Sequence, residues 1–356
     1  LLHVPVFIGH GSADHLLNVD QSRLMTKLLQ ERKQDVKYVE FPGETHYIWS
    51  KTFEHPELKA RLAKWRRPAA PARVQFKTYT LKHNRAYWVQ INAIAEWGKP
   101  ASVDAQVASR NRIEITASNV ATLTLTPGKD LLDLAKPVEV VVNGGAAQMT
   151  PAQDGSLLLT LVAGEKGGLA KTPSLCGPAR QAYEAPFIIV APTQKAPALG
   201  NDVQLTQQVA MDWYRYAQGA PVVRRDTEIT PEDIAECNLI VCGSPETNAI
   251  YRRIAPNLPI QLTETEYVLG ERRVPRQGAG MVLLYPNPLA PQRAVLVCQG
   301  LAWGKSLSTN HKYDFLPDFV IFTKEVDRDG TMFESNRALC AGYFDSAWRL
   351  NPSTTW

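Results

Sequence analysis

The sequence predicts a mixed α/β protein in three parts: an α/β segment, an all-β sandwich-like segment, then a second α/β segment of flavodoxin-like character. Three observations predict it. From Val4 to Trp49 the chain reads strand, helix, strand; from Val74 to about Val162 apolar residues recur with period two; from Phe187 onward short buried-type strands again alternate with helical spacing. The expected boundaries are 1–68, 72–163 and 186–356, with 164–185 as a polar connector that has no periodicity.

The first segment opens with Val4-Pro5-Val6-Phe7-Ile8, a short β-branched and aromatic run suited to a buried parallel strand. Gly9-His10-Gly11-Ser12-Ala13-Asp14 follows as a glycine-punctuated turn that leaves a carboxylate just past the strand. Leu24, Met25, Leu28 and Leu29 then repeat at helical spacing, with Asp20 placed to cap. Val36 to Phe41 is the second strand, and Pro42-Gly43-Glu44-Thr45-His46 turns the chain and presents an imidazole. Asp14 and His46 therefore sit beyond the carboxyl ends of neighbouring strands, where open α/β sheets bind ligands. His55-Pro56-Glu57-Leu58 starts a closing helix with Leu58, Leu62 and Trp65 on one face, and Pro68-Ala69-Ala70-Pro71 breaks it.

A carboxylate and an imidazole delivered this way are two members of a hydrolase triad. The imidazole takes a proton from a nucleophile, and the carboxylate fixes its tautomer and stabilises the imidazolium. Singly, Asp14 reads as a turn or capping aspartate and His46 as a surface-loop histidine. Together, with strand and helix in the right order, the triad reading is favoured. His10 and His15 flank Asp14, but no later His or Cys completes a usual ligand set, so no metal and no cofactor is expected.

Gly11-Ser12-Ala13-Asp14 and Gly43-Glu44-Thr45-His46 resemble the G-x-x-D and G-x-x-H turns at the C-terminal end of α/β-hydrolases, in particular the prolyl-oligopeptidase-like serine peptidases and esterases. The resemblance implies that residues 1–68 are the C-terminal edge of such a sheet, with Asp14 as orienting acid and His46 as general base. It also implies a serine in G-x-S-x-G, and that motif occurs nowhere in the 356 residues. The chain is therefore expected to be the C-terminal portion of a longer or cleaved polypeptide, inactive alone. Its expected partners are an N-terminal hydrolase fragment carrying the nucleophilic serine and a peptide or ester substrate; a homo-oligomer is compatible with this. The resemblance further suggests a secreted, periplasmic or cell-envelope protein. The alternative is a non-catalytic interaction subunit that kept a degenerate hydrolase edge.

The rest of the chain is less specific. Strands are expected at Val74–Thr80, Ala86–Ile91, Ser102–Val107, Arg112–Thr116, Ala121–Leu125, Val138–Val142 and Ser156–Leu161, with Asn143-Gly144-Gly145 as a hairpin turn. Tyr87, Trp88 and Trp97 could form a carbohydrate-stacking surface, but alternating aromatic residues in a strand are more often core. In the last segment, Thr230-Pro231-Glu232-Asp233 is a strong helix start. Gly243-Ser244-Pro245-Glu246-Thr247-Asn248 could grip an anion, yet it has one glycine, so a packing role is preferred. Gly304-Lys305-Ser306 has the tail of a P-loop, but Gln299 stands where the first glycine should be.

Composition narrows partners. A hydrophobic content of 44% and a charged content of 21% are those of an ordinary globular chain. A formal charge of +4 is slight for this length, so no nucleic-acid partner is expected. Five scattered cysteines do not make a disulfide framework, and no apolar stretch approaches a membrane span.

Overall fold

The computed structural model describes residues 3–163, 168–304, 313–314, 316–323 and 338–356. The chain is mixed α/β, with strand the larger share. In the first segment β1 (Val6–Gly11) and β2 (Val36–Phe41) pair in parallel, Gly11 opposite Phe41, with α1 (Asp20–Glu31) as the crossover. The expected cap at Asp20 is corrected: Val19 already has helical backbone at the N-cap. Asn18 Oδ1, one residue further back, accepts the Asp20 N–H at 2.9 Å. Then α2 (Trp49–Glu54) and α3 (Pro56–Lys64) follow, the latter opening on Pro56, whose fixed φ suits a first helical position.

This unit has almost no core of its own. Among its described apolar side chains only Leu29 and Ile48 count as buried large ones, whereas Leu16, Leu17, Leu24, Met25, Phe53 and Leu62 are each more than half exposed. A two-stranded sheet cannot cover these faces, and burying one such side chain stabilises by about 1.5–3 kcal/mol.

The second segment holds β3 (Arg73–Thr78), β4 (Arg85–Ala86), β5 (Val89–Ile94), β6 (Ala101–Ser109), β7 (Arg112–Ser118), β8 (Val120–Leu125), β9 (Val138–Val142), β10 (Gly145–Met149) and β11 (Leu157–Thr160). They form two sheets, β10-β9-β7-β6-β3 and β11-β8-β5-β4. Alternate residues of both enter one core: Val74, Val103, Ala105, Ile113 and Ile115 from the first, Val89, Ile91, Leu123 and Leu125 from the second. The turn at Asn143-Gly144 has φ of 49° and 89°, the left-handed pair that a two-residue hairpin needs. Its second strand is β10; the Ser156–Leu161 segment instead supplies β11, which pairs with β8. The strand expected over Ala86–Ile91 is broken at Tyr87, whose φ of 52° turns the chain. Trp88 and Trp97 are buried in the core.

The third segment contains β12 (Phe187–Ala191), α4 (Leu199–Ala217), β13 (Val222–Arg225), α5 (Pro231–Glu236), β14 (Asn238–Cys242) and α6 (Ala249–Ile254). A separate antiparallel sheet comprises β15 (Gln261–Leu262), β16 (Glu266–Leu269) and β17 (Arg272–Pro275). Then come β18 (Ala279–Asn287), β19 (Ala290–Gln299), β20 (Phe319–Thr323) and β21 (Ala338–Gly342). The main sheet runs β13-β12-β14-β19-β18-β20-β21. Its first four strands are parallel, but β18, β20 and β21 join antiparallel to their neighbours, a departure from the all-parallel sheet that a flavodoxin-like domain would have. For β18 the cause is local: only Pro288-Leu289 separates it from β19, and so short a link can join only antiparallel strands.

The connector is not loose where it is described. Leu175, Cys176, Ala179 and Ala182 are buried, and a 3₁₀ turn spans Ala179–Tyr183. Lys171 Nζ lies 2.6 Å from Asp318 Oδ2, both side chains fully buried.

Candidate active site

Both candidate residues stand on turns at the carboxyl edge of the β1–β2 pair, and the two turns are stitched to each other. The Ser12 N–H donates to the Phe41 carbonyl at 3.0 Å and the Ala13 N–H to the Glu44 carbonyl at 2.9 Å. The Ser12 hydroxyl accepts the Gly43 N–H at 2.8 Å. Close approach is possible because Gly11 has no side chain: a Cβ there would lie 2.2 Å from the Thr45 carbonyl oxygen. Gly43, with φ of +72°, makes the reversal that brings His46 back over Asp14.

The result is a carboxylate–imidazole pair. His46 Nδ1 is 2.9 Å from Asp14 Oδ2, across 32 residues of sequence. The Asp14 side chain is 4% exposed and that of His46 27%. Asp14 Oδ1 accepts the Leu16 and Leu17 N–H groups, each at 2.9 Å. The Leu17 N–H is the largest influence holding the Asp14 carboxyl far below the ordinary carboxylate range; burial opposes it, and His46 and the Leu16 N–H add to it. A carboxylate that stays ionised forces the proton of neutral His46 onto Nδ1, leaving Nε2 as the basic nitrogen. Among the described residues Nε2 has no hydrogen-bond partner.

One feature went unread in the sequence, and another, His10, was weighed there only as a metal ligand. Tyr47 and Trp49 stand edge-on to the His46 ring at centroid distances of 5.6 and 6.2 Å, and both are mostly exposed. His10 Nε2 lies 3.2 Å from Asp14 Oδ2. The i, i+4 spacing of His10 and Asp14 was the available signal, but it suggests a metal as readily as a hydrogen-bonded pair. Both His10 nitrogens are engaged, by Ser22 Oγ at 2.7 Å and the Leu17 carbonyl at 3.1 Å, and His15 is exposed.

The other candidates are turned inward. Thr247 and Asn248 are fully buried; Thr247 Oγ1 donates to Asp202 Oδ2 at 2.6 Å, and Asn248 Oδ1 caps α6 while its amide donates to the Val190 and Cys242 carbonyls. Lys305 and Ser306 of the P-loop-like run lie outside the described residues. Comparison of the chain with protein-family models, with curated proteins and with solved structures returns no match.

Proposed function

We propose that this chain supplies the acid and base of a serine hydrolase whose nucleophilic serine lies on polypeptide outside these 356 residues. Asp14 orients His46; His46 Nε2 takes the proton as the serine oxygen attacks an ester or amide carbonyl, then returns it to the leaving group. Water repeats the cycle and releases the acid. In this reading residues 1–68 are the C-terminal edge of an α/β-hydrolase sheet, and the sandwich and the flavodoxin-like half of the last sheet are accessory modules.

The 2.9 Å Asp14–His46 contact, with Nε2 left over, carries the reading. The exposed Leu24, Met25, Phe53 and Leu62 support it, since further strands and helices of a larger sheet would cover them. A serine-directed fluorophosphonate probe on the intact assembly tests it. Labelling is expected on a serine outside this chain, reduced about 10⁴-fold by His46→Ala. Labelling that His46→Ala leaves unchanged overturns the reading.

The same exposed apolar surface also suits a non-catalytic interaction subunit. That reading expects a stably bound partner with no labelled serine.

A further inference from the structure

Asp14 Oδ2 has two imidazoles beside it, and the mechanism above uses one. His10 lies on β1 opposite Glu40 of β2 and is 8% exposed. Its surroundings fix its tautomer. The Leu17 carbonyl at 3.1 Å and Asp14 Oδ2 at 3.2 Å can only accept, so Nε2 carries the proton and points at Leu17 with the carboxylate alongside. Nδ1 is then the acceptor, and the Ser22 hydroxyl at 2.7 Å donates to it. Leu17 is held at both ends of one peptide unit's reach: its carbonyl by His10, its N–H by Asp14 Oδ1 at 2.9 Å.

We propose that His10 is a positioning residue of the acid–base pair, acting on Asp14 in two ways. It pins the Leu17 backbone whose N–H holds Oδ1, and it lays the positive edge of its own Nε2–H against Oδ2, the oxygen that His46 uses. The second contact drains negative charge from that oxygen and so limits how tightly the acid holds the His46 imidazolium. Base strength is thereby set from the far side of the carboxylate. This inference rests on the catalytic reading for its consequences in rate, but the contact itself does not.

The charged neighbours that bear on this pair are few. Glu40 lies beside His10 and is paired to Arg23, which also binds Asp20; Tyr38 donates to Glu40. On the turn of His46, Glu44 is paired with Lys51. The Arg23 cluster leaves one net negative charge and the Glu44–Lys51 pair none, all on partly exposed side chains; among the described residues His10 Nε2 and His46 Nδ1 are the side-chain nitrogens within 3.2 Å of Oδ2.

His10→Phe and His10→Gln test the proposal. Phe keeps the bulk and removes both polar edges; Gln can place an amide N–H where Nε2–H stands. His10→Asn, which retains an acceptor for Ser22 but is too short to reach Asp14, is read in the same way as Phe. In Phe the acid limb of the kcat/KM profile, and the midpoint of the His46 ring titration followed by NMR, should move to higher pH by roughly half a unit to one unit. The turnover should fall several-fold at unchanged KM, and Gln should restore both. An acid limb and ring midpoint identical to wild type, with only a lower melting temperature, would reduce His10 to a packing residue and overturn the proposal. The ring titration, followed on the intact assembly, reads the contact itself and needs no turnover. If the intact assembly carries no probe-reactive serine, the catalytic reading fails while the titration still decides the His10 contact. If labelling occurs and the limb stays put, the His10 proposal alone fails.

Discussion

At the scale of single residues the proposed chemistry turns on how Asp14 is held. Two backbone N–H groups on one oxygen and imidazole on the other stabilise the carboxylate by several independent contacts. Its folded value is depressed, so it favours the fold at all pH above the unfolded carboxyl value, about 3.9. That contribution is lost only as pH falls through the depressed folded value. Any loss of activity on acidification between about pH 7 and 5 therefore does not come from protonation of this acid. Asp14→Asn should keep the turn but present an amide that can donate to Nδ1, favouring the wrong tautomer. The rate of probe labelling is expected to fall by about 10³–10⁴, with the melting temperature changed far less; equal labelling rates for Asn and wild type would remove Asp14 from the mechanism.

At the scale of elements, the site depends on two turns fitting together where only Gly11 lets them. Gly11→Ala would drive a Cβ to within 2.4 Å of the Glu44 carbonyl oxygen, and backbone at that range must move. The turn that moves carries His46, so labelling should drop by about 10²-fold, the cost of roughly 1 Å of misplacement. Gly43→Ala meets no neighbouring atom and pays only for a positive φ, about 1 kcal/mol. Labelling rates of the two variants, measured side by side, check the contrast; a larger loss for Gly43→Ala would contradict it. Much of this was legible in the sequence, because strand–Gly turn–helix–strand–Gly turn is local grammar. The Thr230 capping box, with the Asp233 N–H on Thr230 Oγ1 at 3.1 Å, was legible for the same reason. What was not legible depends on partners far along the chain. The break at Tyr87, the small β15–β17 sheet and the β11–β8 pairing have no distinctive local pattern, and His10 could be assigned only once Leu17 and Ser22 were placed around it.

At the scale of the whole molecule, the connector between the second segment and the last sheet proves to be a clasp. Lys171 Nζ sits 4.0 Å from the ring centre of Trp97, in the core of the second segment, and 4.8 Å from that of Trp348 near the C-terminus, while bonded to Asp318 just before β20. Trp97 Nε1 donates to Ser346 Oγ at 3.0 Å, and Ser346 Oγ donates to the Ile94 carbonyl at 2.8 Å, so the two segments are joined directly as well. No sequence pattern announces an ion pair 147 residues apart in a stretch that looks like a polar linker. Burial pushes the Asp318 carboxyl up and the Lys171 ammonium down, and their mutual attraction opposes both shifts. Such a pair adds little over a well-packed apolar substitute, yet removing one partner strands the other charge in a dry interior. Asp318 is already short of one contact, since Oδ1 has no hydrogen-bond partner among the described residues. Lys171→Met should therefore destabilise the chain by about 3–5 kcal/mol in urea unfolding, and Lys171→Met with Asp318→Asn should recover at least half of that. Because the pair ties the second segment to the last sheet, fluorescence from the tryptophans and far-ultraviolet circular dichroism should report one shared transition in wild type and separate into two in Lys171→Met. A single variant within about 1 kcal/mol of wild type, with transitions still coincident, would mean that the tryptophan hydrogen bonds hold the segments together without the clasp.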